Sequence, residues 1–240
     1  MSQEMPLFYQ EPVALNRDAH KDMQVGKSPK GYAFAAKSHS VILAPVEFFE
    51  VCKEYPIIFS KNDGGKMVPV ALLGLREGEN LFVDEAGEWA ARYLPAYVRR
   101  YPFILSETGA DDLTVCIDQS FDGIGTGEPI FTTEGGYTDY MKQMLDLLRN
   151  FHVQFKNGAD FAEKLQELDL FKPMDALVEL KDGRKYALNG FSVVDEEKLQ
   201  AISDEELAEL FRPGYLGLIY AHLLSLSTLS GLVDKLSGRD

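Results

Sequence analysis

Cysteine, histidine, tryptophan and basic residues are all scarce in this chain. Its 240 residues hold two cysteines, four histidines and one tryptophan. Cys52 and Cys116 belong to no CxxC and read as buried reduced thiols, so neither a disulfide framework nor a thiolate metal cluster is indicated. His20, His39, His152 and His222 are scattered, with no HxH, HxxxH or HExxH spacing, so a zinc or iron site is not indicated. GxSxG, P-loop and Rossmann fingerprints are missing. Gly123-Ile124-Gly125-Thr126-Gly127 alternates glycines without the lysine or helix start that a phosphate cradle needs. Lys and Arg number 24 against 38 Asp and Glu, a formal net charge of −14. That field disfavours nucleic acid and anionic membranes and favours solubility. The opening Met1-Ser2-Gln3-Glu4-Met5-Pro6 has no basic region and no apolar run, so a cytoplasmic location is expected. There are no repeats, low-complexity tracts or long linkers.

What is present is a large apolar content, 45% of the chain, enough for a substantial core. The richest part is Tyr55 to Phe103. Tyr55–Phe59, Met67–Leu75 and Asn80–Val83 read as three strands of an antiparallel meander, broken by the turns Lys61–Gly65 and Glu77–Asn80. Pro69 is expected at a strand start, an edge or a bulge, and Val70–Leu73 reads as buried on both faces. Ala86–Arg92 suits a short helix with Trp89 and Tyr93 on one face. Pro95 suits the first turn of another, ended by Pro102.

Upstream, residues 1–31 are mixed and rich in breakers, with Val13–Asn16 and His20 suiting an extended arm packed on the domain; Tyr32–Ala36 and Ser40–Leu43 read as strands, and Pro45–Glu54 as a helix burying Phe48, Phe49 and Cys52. Downstream, Leu113–Ile117 reads as a strand. Tyr137, Met141, Met144, Leu148, Phe151 and Phe155 recur at helical spacing, with a stop at Asn157-Gly158 and a restart at Asp160. Ala176–Leu180 and Lys185–Leu188 form a hairpin around Asp182-Gly183. Asp195 opens a short helix, and Ser203 with Glu206 makes a capping box. Nothing between Arg212 and Asp234 is charged. That length could span a bilayer, but its Ser, Thr, Gly and His content favours a helix central to the second half, and no membrane insertion is expected. His222, on its apolar stripe, reads as a hydrogen-bonded core residue. The fold class is α+β: a mainly antiparallel sheet with short helices, then a helix-rich half with one β-hairpin. One domain, 1–240, is expected, with a possible subdivision into 1–134, mainly β, and 135–240, mainly α.

Several of these strings resemble the SapC family of bacterial proteins. They are Tyr55-Pro56-Ile57-Ile58-Phe59-Ser60, Pro69 to Arg76, Glu79 to Asp84, Trp89, and Tyr97-Val98-Arg99-Arg100-Tyr101-Pro102-Phe103. Cys116-Ile117-Asp118, Phe191 to Leu199 and Tyr220 to Leu226 extend the likeness over most of the chain. The resemblance implies a link to surface-layer or envelope processes. It carries no catalytic residues across.

Two constellations stand out chemically. Asp118, Ser120, Asp122 and Gly123 fall where a calcium loop would place its first ligands, but Glu128 comes one residue early, so a solvated acidic turn is the reading and no metal or other cofactor is expected. The second is Trp89, Tyr93, Tyr97, Arg99, Arg100 and Tyr101, with Arg76 and Asp84 upstream. Arginine beside aromatic faces suits capture of a peptide or a small anionic ligand; it also suits an aromatic core face rimmed by snorkelling arginines. Arg99 and Arg100 are consecutive and point about 100° apart on a helix, so only one can face the core. The function expected is a non-enzymatic accessory or binding protein that recognises a peptide or small anionic ligand, or a protein partner. The alternative is an enzyme or former enzyme using His20, His39 or Asp118.

Overall fold

The computed structural model describes residues 5–62, 64–107, 112–179, 183 and 185–239. The strands are β1 Pro12–Ala14, β2 Gln24–Val25, β3 Ser40–Ile42, β4 Ile57–Lys61, β5 Met67–Leu72, β6 Phe103–Glu107, β7 Leu113–Asp118, β8 Glu128–Pro129, β9 Phe171–Glu179 and β10 Lys185–Val194. The helices are α1 Phe48–Val51, α2 Ala96–Arg99, α3 Asp139–Glu167, α4 Glu196–Gln200, α5 Asp204–Phe211, α6 Tyr215–Ser225 and α7 Leu229–Arg239. Antiparallel sheets dominate the first part and helices the second, an α+β arrangement. The chain divides into two compact units drawn from alternating stretches. One takes the chain up to Ala35, Val83–Ala90 and Ala96–Val153; the other takes Ala36–Phe82, Ala91–Pro95 and the chain from Gln154.

The first unit holds the antiparallel sheet β1-β7-β6 and the small pair β2-β8. Pro12 pairs with Asp118, and Phe103 with Ile117. Met141, Leu145 and Leu148 lie on one face of α3 and close the core over Phe103, Ile117 and Ile130. Strand β6 starts directly after Pro102, where the sequence reading ends a helix and assigns no strand.

The second unit is a five-stranded antiparallel sheet, β3-β5-β4-β10-β9. All six residues of β5 are buried, as its continuous apolar run implies. Pro69 is not at a start, edge or bulge but inside β5, opposite Phe59. Its carbonyl accepts from Leu43 N–H at 3.0 Å, one residue beyond the end of β3, so the missing donor faces the place where that ladder stops. The hairpin β9–β10 forms as expected but runs on to Phe171 and Val194, with a register shift between Leu188 and Phe191; Asp182 of its turn lies outside the described residues.

Other expectations need correction. Asn80–Val83 is no strand: buried Asn80 accepts Phe82 N–H at 2.8 Å on its own side chain, and Leu81 makes one bond to the Leu73 carbonyl. Tyr32–Ala36 is no strand either, but a 3₁₀ turn at Ala33–Ala35. Pro45–Glu54 splits into a 3₁₀ turn and the four-residue α1; Phe48 and Val51 are buried, whereas Phe49 is exposed. Ala86–Arg92 is not helical. Asp84 Oδ1 accepts the N–H groups of Ala86 and Glu88, closing a turn that pairs Val83 with Trp89. Finally, α3 passes through Asn157-Gly158 without stopping. A Cβ on Gly158 would lie 3.2 Å from Pro45 Cδ and 3.7 Å from Pro69 Cγ, so this glycine serves a close approach rather than a helix end.

Asp195 caps α4, and the Ser203–Glu206 capping box opens α5 as its spacing implies. The stretch Tyr215–Arg239, α6 and α7 joined by a 3₁₀ turn, is long and apolar enough to cross a membrane by length and composition, with a mean hydropathy of 1.6. In the second unit it is pinned to the sheet. His222, fully buried, stands between two strands: its Nδ1 lies 2.7 Å from the Ile57 carbonyl and its Nε2 accepts Val194 N–H at 3.0 Å. Ser225 Oγ accepts Ile57 N–H at 2.8 Å. Strands β4 and β10 pair at Ser192 and Phe59. In that register Ile57 faces Val194, so the imidazole replaces a ladder bond where the strands part. These bonds hold the helix against the sheet. The protein is expected in the supernatant after lysis without detergent; a membrane fraction resistant to high salt and released only by detergent would contradict this packing.

Candidate functional site

The site grows from the short helix α2. Pro95 precedes it, and Arg100 N–H continues its turn by bonding Ala96 O at 3.0 Å. Phe103 N–H then bonds Arg100 O at 2.8 Å and leads into β6. The two arginines diverge as their spacing requires. Arg99 is exposed. Arg100 is only 9% exposed.

Three rings surround the Arg100 guanidinium. Its Cζ lies 3.9 Å from the centroid of Tyr97, 4.8 Å from Phe151 and 5.9 Å from Tyr9. Tyr9 arrives on the N-terminal arm, whose position is fixed from both sides. Its hydroxyl donates to Phe103 O at 2.7 Å, and the Gln10 and Glu11 N–H groups donate to Asp118 at 2.9 and 3.0 Å. Phe8, at φ +81°, sets its ring edge-on to Phe34, Tyr97 and Tyr101. Burial raises the Tyr9 hydroxyl well above the usual phenol range, and the Arg100 charge offsets only part of this; Tyr97 is raised in the same way. The cage is therefore neutral at physiological pH.

A guanidinium in neutral, mostly apolar company is costly unless charge-assisted hydrogen bonds satisfy it. Ring faces return part of that cost, on the order of 2 kcal/mol per well-placed contact. The Arg100 guanidinium hydrogen-bonds the Tyr9 and Tyr97 hydroxyls, but among the described residues no carboxylate forms an ion pair with it and its buried Nε–H has no acceptor. An orphaned charged donor of this kind is rare in folded proteins. Chemically, the cage offers one planar cation beside stacking faces, which suits an oxyanion attached to an apolar group.

Asp118, the first residue of the calcium-like loop, is not part of a solvated turn. It is fully buried and accepts from five donors: the N–H groups of Gln10, Glu11 and Ser120, Ser120 Oγ at 2.7 Å and Tyr101 Oη at 3.2 Å. Burial alone would raise its pKa, but the bonds from Gln10, Ser120 and Glu11 outweigh that and lower it. Tyr101, buried beside this carboxylate, is pushed up to about 12. Asp122 of the same loop lies 3.8 Å from Lys30 Nζ.

The remaining sequence-selected residues make contacts within their own units. Arg76 pairs with Glu79 and lies over the Tyr186 ring at 5.5 Å. Tyr93 donates to Glu47 Oε1 at 2.9 Å, and its N–H bonds Glu54. Trp89 meets Tyr32 edge-on, and Asp84 holds its turn. Asp84, Trp89, Tyr97, Arg99 and Arg100 belong to the first unit; Arg76 and Tyr93 belong to the second. His20 and His39 are likewise split between the units, and His20 Nδ1 is engaged by Asn16 N–H at 2.9 Å. Sequence reasoning missed Phe8 and Tyr9. The aromatic pair after Pro6 was the available signal, masked by the breakers around it.

A family model described as SapC matches residues 15–232 of this sequence. No curated protein and no solved structure gave a significant match.

Proposed function

From the premise that this chain belongs to the SapC family, we propose that it is a soluble, cytoplasmic accessory protein of surface-layer or envelope processes, and that it binds rather than catalyses. Its first unit recognises an anionic group, carried by a small molecule or a peptide. The observation that supports this is the Arg100 guanidinium, buried against Tyr97 and Phe151 with an Nε–H that no described residue accepts. A carboxylate or phosphate would supply the acceptor, and its apolar part would meet the same rings. Arg99 stands outside the cage and contributes at most long-range charge.

The test separates a binding arginine from a structural one. Arg100→Met removes the uncompensated charge and fills the cage with a flexible apolar chain. Its stability is expected to equal or exceed that of the parent, as when buried ions are replaced by apolar residues of similar volume. Binding of carboxylate and phosphate probes, followed by thermal shift, is expected to fall by roughly ten- to a hundredfold, the loss of one charge-assisted contact. Arg99→Met is expected to bind as the parent does. Destabilisation of Arg100→Met by more than about 2 kcal/mol, a size typical of disrupted core packing, would show that the guanidinium holds the cage together and would overturn the reading.

A further inference from the structure

A second feature of the first unit is left unexplained by its packing: a cleft of about 300 Å³ lined by Lys30, Phe34, Tyr101, Ser120, Phe121 and Asp122, among others. One wall is flat. Phe34 stacks on Tyr101 with centroids 4.3 Å apart and planes 29° apart, and Phe121 meets Tyr101 edge-on at 5.3 Å. The rim carries one charge of each sign. Lys30 Nζ and Asp122 Oδ2 stand 3.8 Å apart, with 75% and 35% of their side chains exposed. A loose, open pair of this kind adds little stability.

The loops that carry the two rim charges are nevertheless held by backbone contacts. The loop carrying Lys30 docks through Tyr32 N–H on Gly87 O at 2.7 Å, and a Cβ on Gly31, at φ +56°, would lie 2.4 Å from that same oxygen. The loop carrying Asp122 is fixed next door. Gly26 N–H bonds Gly123 O at 2.9 Å, and a Cβ on Gly123 would strike the Phe121 ring at 2.5 Å. Opposite charges carried on two docked loops over an aromatic wall are placed for a ligand bearing the complementary pair.

We infer that this cleft binds a small zwitterion with a flat apolar body, of which an aromatic α-amino acid is the simplest example. The ligand carboxylate faces Lys30, its ammonium faces Asp122, and its ring lies against Phe34 and Tyr101. The volume sits at the low end for ligand sites and fits one amino acid better than a peptide. The cleft shares no residue with the Arg100 cage, so the inference stands whether or not that reading holds.

The experiment is calorimetric titration of the full chain with L-phenylalanine, hydrocinnamate and phenethylamine. L-phenylalanine is expected to bind saturably. Hydrocinnamate leaves Asp122 without its cation and phenethylamine leaves Lys30 without its anion, so each is expected to bind at least about tenfold more weakly. Lys30→Met and Asp122→Asn are expected to weaken L-phenylalanine by a similar factor with unchanged thermal midpoints, both side chains being at the rim. Arg100→Met is expected to leave it unchanged. Equal binding of the three compounds, or no saturation by L-phenylalanine up to about 10 mM, a concentration well above a millimolar Kd, would overturn the inference.

Discussion

Replacing His222 by alanine is expected to destabilise the protein by about 3–5 kcal/mol. The imidazole serves two buried backbone groups at once, the Ile57 carbonyl and the Val194 N–H. Each group left unsatisfied costs about 1–3 kcal/mol, and the vacated volume beside Phe59 adds a cavity term. The same geometry fixes a pH dependence. Burial lowers His222 from 6.5 to about 4, with the Ile57 bond opposing only part of the effect. Between those two values the unfolded chain carries a proton that the folded one does not. Stability is therefore full above pH 6.5 and falls as pH drops towards 4, by up to about 3 kcal/mol. Urea unfolding at several pH values checks both statements. The parent and His222→Ala should differ most at neutral pH and converge in acid. A loss below about 1 kcal/mol at neutral pH, within the range of an ordinary surface change, would mean that the helix is not anchored through this side chain.

Asp118→Ala is expected to cost a comparable amount, about 3–5 kcal/mol, because it strips five donors of one acceptor. Two of the five are backbone N–H groups of the N-terminal arm, so the loss has a location. The amides of Gln10 and Glu11 should exchange with solvent much faster than in the parent, and the arm should become sensitive to protease. Asp118→Asn keeps an acceptor oxygen and should fall between the two. Since the folded carboxylate titrates below its ordinary value of 3.8, its contribution is complete above that pH. It is lost only as pH falls further, through the folded pKa. Unchanged exchange at Gln10 and Glu11 in the alanine variant would show that the arm is held by other contacts.

Periodicity and capping chemistry were legible where one element carries its own signal. The spacing of Met141, Leu148 and Phe151 gave the face of α3, and Ser203 with Glu206 gave the start of α5. The divergence of Arg99 and Arg100 followed from helical geometry alone. The errors fall where a tertiary contact outweighs a local preference. Gly158 looked like a stop because the sequence does not show Pro45 and Pro69 pressing against it. Asn80 could not be told from a strand residue without its capped neighbour Phe82. Trp89 and Tyr93 were placed on one helix by spacing, whereas Asp84 folds that stretch into a turn and the two residues go to separate units. The candidate site shows the same division. Its arginine and Tyr97 were readable, but Tyr9 reaches the cage from 91 positions away in the chain, the difference between residues 9 and 100, and no local pattern encodes such an approach.

The most direct test of anion recognition by the first unit is the ¹⁵N-edited NMR signal of the Arg100 Nε–H. Among the described residues this proton has no acceptor, so its resonance in the free protein should lie upfield, at the position of a donor without a hydrogen bond. Titration with acetate or inorganic phosphate should move it downfield in a saturable manner, in the parent and in Arg99→Met alike. A resonance that is already downfield in the free protein, or that does not move with either anion, would contradict the account, because the guanidinium would then be satisfied from within the chain.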